Sequence, residues 1–327
     1  MTKPPPFPTI DELRPAIEQV LNVILASGQA LKSHRETLIS GAIYAPHLLD
    51  GHRFKLLEAG FDYPSSIYYF QPTQADFEAL VARQQAIVDK PPKDIFDPIR
   101  LPGLKGALLV GAPAEFGKQI HAWRKQDPDG TVFDSMTQHL VGRSLTKSGL
   151  LRQLYFRDSI ELDVVTGEPG ENEVHVGPFD LDEACDECGT PLFAVVAGET
   201  TGRLAFLSNL GPTIVIPLCP TCVAEHRSTT TSVDLPMPMN KAFDPATKRL
   251  VLGLTLPTFG GWHRYTCHLG GFPRWQQDPE YPKCPDCSKT MRFLLQVRGY
   301  SLDWGYCHPM CFVCDKCRTL KTVMQTD

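Results

Sequence analysis

The chain has 327 residues, a formal net charge of -5 and eleven cysteines. That length suits about two domains and supplies ample apolar material for a buried core. The mild acidic balance, with Lys and Arg dispersed along the chain, speaks against a nucleic-acid or anionic-membrane surface, both of which favour basic patches.

The opening Met1-Thr2-Lys3-Pro4-Pro5-Pro6-Phe7-Pro8 carries no apolar signal region, and no later apolar run is long enough to span a bilayer. The expectation is a cytoplasmic protein. Thiols stay reduced there, so cysteines gathered from Cys185 onward point to metal rather than disulfides.

In chain order, Leu13, Ile17, Val20, Leu21, Ile24 and Leu25 recur at helical spacing up to Gly28, and a shorter apolar helix is predicted over Glu36 to Tyr44. Between His52 and Gln71 the pattern is β-like or irregular, with Ser66 to Phe70 a strand stopped by Pro72. Thr73 and Asp76 have capping spacing ahead of a helix whose shared face carries Phe77, Leu80, Val81, Gln84, Ile87 and Val88. Lys105 to Gly111 reads as a buried strand running into a helix with Phe116, Ile120 and Trp123. The intervening Gly111 to Lys118 imitates a phosphate-binding loop. Its spacing is one residue too long, Gln119 stands where Ser or Thr would hold magnesium, and Pro113 removes an amide donor, so a structural strand-turn-helix is the better account.

Asp127 to Gly130 is a turn, and Val132 to Phe156 reads as mostly helical. Ser159 to Val165 alternates like a strand. Thr166 to Glu173 is free of apolar residues and rich in turn formers, which makes it the candidate domain boundary or an exposed loop. The predicted class is α+β, with a helix-rich domain over 1–165 and a β-rich module over 174–327.

Within that module one pattern occurs twice. Cys185 and Cys188 form a CxxC, an apolar strand Thr190 to Val196 follows, and Cys219 and Cys222 form a second CxxC. Cys284 and Cys287, the strand Thr290 to Val297, then Cys314 and Cys317 repeat it. Each CxxC puts two sulfurs on one tight knuckle, and two facing knuckles supply the four thiolates of a tetrahedral structural zinc site. Two such zinc ions are therefore expected, in an internally duplicated unit.

Other cysteines and histidines are weighed against this pattern. His226, just past Cys222, is a bystander because four thiolates already complete the shell. The series Cys307, Cys311, Cys314, Cys317 imitates an iron-sulfur motif. Aligning Cys314 with Cys219 puts Cys311 opposite Ile216, which makes Cys311 a core position and favours zinc. Cys267-His268 and Cys307-His308 are open between core positions, a third metal site and a thiol-imidazole pair.

Leu269-Gly270-Gly271-Phe272-Pro273-Arg274-Trp275, followed by Cys284-Pro285-Asp286-Cys287 and Phe293-Leu294-Leu295-Gln296, resembles the bacterial YwqG-like proteins. More distantly it resembles the eukaryotic programmed-cell-death-protein-two family. The resemblance covers roughly the last 150 residues and bears on fold more than on function. It implies a duplicated β-rich zinc module. It also implies protein binding, since some bacterial members occur as immunity proteins in polymorphic toxin systems and the eukaryotic relatives are implicated as chaperones of a ribosomal protein.

From the residues themselves, Gly270-Gly271 is expected to turn at positive φ and Trp275 to cap a barrel end. An exposed partner-binding edge of Phe272 and Trp275 is the competing reading. No acid-base, nucleophilic or phosphate-binding constellation is legible. The expected function is non-enzymatic binding of a protein partner, an immunity protein neutralising a cognate toxin. A chaperone or adaptor for one client, and an enzyme using the Cys/His pairs, are the alternatives.

Overall fold

A computed structural model describes residues 7–28, 32–59, 65–90, 103–126, 133, 135–167, 174–238, 248–303 and 305–326. The chain divides between Arg152 and Gln153 into two units. The predicted turn at Asp127 to Gly130 lies outside the described residues. Among the described residues no helix is long and apolar enough to cross a membrane.

In the first unit, helix α1 (Ile10–Ser27) starts at a capping box between Thr9 and Glu12 and stops at Gly28, whose φ is 67°. It buries Ile17, Leu21 and Ile24 at the expected spacing. Helix α2 (Arg35–Tyr44) packs beside it through Gly41, where a Cβ would stand 2.9 Å from Ile17 Cδ1.

The stretch expected to be irregular contains α3 (Arg53–Glu58), and Ser65–Tyr69 forms a 3-10 turn where a strand was expected. Arg53 accounts for the difference. Its side chain is fully buried, and its Nε donates to the Tyr68 carbonyl at 2.6 Å while one terminal nitrogen donates to Asp76 at 2.9 Å and Asp50 at 2.5 Å. The other donates to the Pro46 carbonyl at 2.7 Å. These bonds tie the Tyr68 carbonyl through one guanidinium to Asp50 and Asp76, which holds the segment as a turn between α3 and the helix that follows.

Helix α4 (Gln74–Asp89) begins with the expected capping box, and Asp76 of that box is the carboxylate paired with Arg53. Helix α5 (Leu104–Gly111) replaces the expected strand. Ala107 to Val110 are all buried, so a helix packed on every side shows no period by which sequence could tell it from a strand. Gly111 to Lys118 therefore joins α5 to α6 (Gly117–Gln126) by a 3-10 turn, without the strand that a phosphate loop follows. In α6, Trp123 is fully buried, stacks on Phe133 at 6.0 Å and donates its indole N–H to Gln85 at 2.8 Å.

The helix predicted over Val132 to Phe156 is cut short. Only α7 (Ser135–Leu140) forms, followed by the paired strands β1 (Arg143–Leu145) and β2 (Leu151–Gln153). Gly142 and Gly149 stand at φ 63° and 80°, and the Thr146 amide bonds to the Leu150 carbonyl, which turns the chain back on itself.

The second unit holds β3 (Ser159–Val165), β4 (His175–Gly177), β5 (Phe179–Ala184), β6 (Pro191–Glu199), β7 (Thr213–Leu218) and the short helix α8 (Pro220–Ala224). Then come β8 (Thr229–Ser232), β9 (Arg249–Leu256), α9 (Gly260–Arg264), β10 (His268–Gly270), β11 (Arg292–Gln296), β12 (Cys307–Val313) and β13 (Thr319–Thr326). Eight strands form an open antiparallel sheet in the order β4-β9-β3-β10-β11-β12-β13-β8, and β5-β6-β7 form a second sheet. The class is α+β as expected. The division falls earlier than Thr166 to Glu173, because β3 pairs with both β9 and β10 and so belongs to the second unit.

The two faces of the large sheet differ chemically. Ile160, Leu269, Leu295 and Cys311 are register partners in one row, and they bury against Leu204, Leu207 and Leu210 of a 3-10 turn and against the β6–β7 hairpin. The adjacent row, Glu161, His268, Gln296 and Met310, points the other way. On that side Gln296 holds the Arg274 amide and carbonyl at 2.9 Å each, and Gln325 accepts from the Gln276 and Gln277 amides at 2.9 Å each.

Two buried glutamines thus satisfy a loop that has no strand partner. The loop starts at Gly270 and Gly271, with φ 70° and 73° as expected, because a Cβ at either would collide with Asp158 or Ser159. Trp275 caps no barrel, since the sheet is open. It stacks on Phe312 at 5.8 Å and meets Tyr281 edge-on, and Phe272 is buried, so the two form no exposed edge.

Two outcomes test this account. Arg53→Ala leaves Asp76 buried and unpaired and is expected to cost about 3–5 kcal/mol of first-unit stability by denaturant unfolding. Gln296→Leu removes the partner of two part-buried backbone groups at Arg274, is expected to cost about 1–3 kcal/mol in all, and should accelerate hydrogen exchange across 272–277.

Candidate metal centres

Three of the four CxxC segments fold alike. The Cys185, Cys284 and Cys314 amides donate to the carbonyl five residues on, at 2.9 Å each, in Thr190, Lys289 and Thr319. The amide four residues on donates back to each cysteine carbonyl, from Gly189, Ser288 and Arg318 at 2.8, 2.9 and 2.8 Å. Those last three residues have φ of 73°, 56° and 59°. This left-handed step reverses the chain tightly enough to put both sulfurs on one side. Ser288 and Arg318 bear a strain that Gly189 avoids.

The fourth segment differs. Cys219 is the N-cap of α8, its sulfur accepts from the Cys222 amide at 3.4 Å, and Pro220 takes the first helical position. A helical turn presents its two sulfurs as effectively as a knuckle. The repeat is thus one of ligand placement, while local backbone geometry diverges between Cys219 and its aligned Cys314.

The hairpins bring the ends together. β6 pairs with β7 with Phe193 opposite Leu218, and β11 with β12 with Arg292 opposite Val313, so each strand pair carries one CxxC segment beside the other. A 3-10 turn, Gly202–Leu210 or Gly299–Leu302, spans the far end in each case. The sequence-predicted ligands assemble as two groups, Cys185, Cys188, Cys219, Cys222 and Cys284, Cys287, Cys314, Cys317, with the four sulfurs of each within 4.8 Å of one another. These are the groups able to hold a metal ion found among the described residues.

Distances discriminate between the chemistries of such groups. Sulfur separations of 3.8 Å (Cys185–Cys222), 3.4 Å (Cys188–Cys219), 3.7 Å (Cys188–Cys222) and 3.6 Å (Cys287–Cys314) far exceed a disulfide bond of about 2.05 Å. They approach the edge of about 3.8 Å expected for a tetrahedron with metal-sulfur bonds of about 2.3 Å. All eleven cysteines are unbridged.

Electrostatics favours a cation at each centre. The Thr190 hydroxyl, 3.3 Å from Cys188 Sγ, and the Thr190 amide hold that thiol down to about 6. The Lys289 amide holds Cys287 down to about 7. Their neighbours move the other way. Cys317 is pushed up to about 12, first by the sulfur of Cys287, and burial raises Cys219 and Cys314. Four thiolates this close repel one another, and a divalent ion is what allows all four to ionise together.

The remaining candidates separate cleanly. His226 is exposed at the end of α8 and belongs to neither group. Cys311 sits in the same apolar cluster as Ile216, the residue aligned with it, and burial pushes its thiol up to about 12. Cys267 accepts the Arg298 amide at 3.2 Å, and His308 accepts the Gly299 amide at 3.1 Å. The two segments do approach a common stretch of backbone. They join no group of metal ligands among the described residues, and His268 is buried against Phe293 with its Nδ1 near the Thr266 carbonyl.

Buried, protonated thiols should resist alkylation. In the folded protein iodoacetamide is expected to spare Cys267 and Cys311 and to label them on unfolding, read by mass spectrometry. Cys188→Ser should remove about one metal per chain, whereas Cys311→Ser should leave metal content unchanged.

No family model matches the chain. No solved structure matches it. The uncharacterized protein YpfL of Salmonella typhimurium is similar to it, at 27% identity over 243 residues, which is 64% of this chain and 55% of that protein. The chain therefore spans about half the length of that curated relative.

Proposed function

We propose that this is a non-enzymatic, protein-binding protein whose C-terminal unit is held by two structural zinc ions and which acts by occupying a partner. The observation that carries the reading is the closure of both centres. Each has four cysteines within 4.8 Å, which fill a tetrahedral shell and leave no position for water or substrate. A catalytic zinc keeps such a position open. A single ion rather than an iron-sulfur cluster fits sulfurs that all lie within 4.8 Å of one another, with Cys307 and Cys311 outside both groups, and zinc is the ion we propose.

The partner is proposed to be a cognate toxin, on the strength of the resemblance to a family that includes immunity proteins. A net charge of -5 favours encounter with a basic partner, as in nuclease-type toxins, although it biases association rate more than identity. The helix-rich unit is the proposed contact region, because specificity within a shared scaffold resides in its variable additions.

Elemental analysis should find two zinc ions per chain. Chelation should loosen the second unit, because closed thiolate sites contribute apparent binding energies of about 10 to 16 kcal/mol. Iron, or fewer than two zinc ions, sinks the metal assignment. Co-expression with the product of the neighbouring gene tests the partner. Rescue from a toxic neighbour and a complex stable at micromolar concentration are expected, and a harmless neighbour defeats the immunity reading.

A further inference from the structure

A cationic and aromatic cluster that shares no residue with either metal centre lies where α9 meets the Gly270 to Gln277 loop. Tyr265 closes α9 at φ 54° and ψ 56°. A bulky side chain holds that left-handed conformation only where its surroundings enforce it, and such outliers concentrate at ligand-binding sites. The guanidinium carbons of Arg274 and Arg298 lie 4.0 and 4.3 Å from the centroid of the Tyr265 ring.

Tyr265 is anchored in its turn. His308 is fully buried, and its Nδ1 accepts the Gly299 amide at 3.1 Å, which in the neutral ring places the proton on Nε2. Nε2 then donates to the Tyr265 hydroxyl oxygen at 3.1 Å. The ring carrying both arginines is thereby fixed from the sheet.

Neither arginine has a carboxylate within ion-pair distance among the described residues. Arg274 donates to the Trp262 carbonyl at 3.4 Å, and Arg298 Nε is buried without a hydrogen-bond partner. With both over one ring, the two guanidinium carbons are no more than about 8 Å apart, like charges at that range repel, and cation–π attraction offsets only part of the cost. A dianionic oxyanion neutralises both and matches their planar donor forks. Beside them Tyr300 and Tyr306 meet edge-on at 5.1 Å, Tyr300 stands 5.7 Å from the His308 ring, and the two are 40% and 68% exposed.

We propose that Arg274 and Arg298, on their Tyr265 platform, form a recognition site for a phosphate group, with Tyr300 and Tyr306 contacting the organic part of a phosphate ester. This goes beyond the protein-binding reading and stands apart from it. Calorimetric titration of the metal-loaded full chain with inorganic phosphate, phenyl phosphate and succinate tests it.

Both phosphates should bind and succinate should not. Tighter binding of phenyl phosphate than of inorganic phosphate is expected, and equal binding would overturn the contact assigned to Tyr300 and Tyr306. Arg274→Gln combined with Arg298→Gln should weaken phosphate binding at least about tenfold, with metal content and unfolding midpoint unchanged. Should the double variant misfold, the single Arg274→Gln carries the same expectation at smaller size. Tyr300→Ala with Tyr306→Ala should weaken phenyl phosphate alone. Absence of phosphate binding at concentrations on the order of tens of millimolar, phosphate binding that survives loss of the arginines, or succinate binding as tightly as phosphate would overturn the proposal.

Discussion

Four negative sulfurs come together only if the backbone makes them, and in this protein the backbone device is an antiparallel hairpin with a sulfur pair at each end of its chain. The registers of β6 on β7 and β11 on β12 decide which CxxC faces which. A slip of one residue would turn the flanking side chains to the opposite face and separate the pairs. The apolar row of Leu269, Leu295 and Cys311 resists that slip, because it would expose buried residues. Packing of the sheet and assembly of the centres are one constraint seen from two sides.

The same logic shows what the sequence made legible. The eight ligands and their division into two groups follow from spacing alone, because CxxC is a local geometry that few other requirements produce. Cys311 was readable as a core residue only through its alignment with Ile216. The divergence of the Cys219 turn was not readable, since Pro220 fits a knuckle as well as the first turn of a helix. Ser288 and Arg318 occupy positive φ where glycine would have announced the turn.

In the first unit, helices with one buried face were legible and those buried all round were not. Residues 13–25 of α1 kept their period, whereas α5 lost it because Ala107 to Val110 are all enclosed. Arg53 reads locally as one more surface cation. Its role depends on Pro46, Asp50, Tyr68 and Asp76, which pattern analysis of neighbouring residues does not connect. Gln296 is similar. It ends an apolar strand as though entering solvent, yet its amide takes the part of a missing strand for the loop that crosses it.

The order of strands in the large sheet also sets a timetable for folding. β8 emerges from the first cysteine repeat, but its partner is β13, which follows the second, with Ser232 opposite Thr319. The intervening chain must thread the middle of the sheet before that edge can close. Such a long-range pairing defers its enthalpic return until most of the loop entropy has been spent, so closure of this edge belongs late in folding. Without β13, β12 presents an unpaired edge. Of the two edges of the sheet, the one more open to mispairing is thus the one whose two strands stand farther apart in sequence.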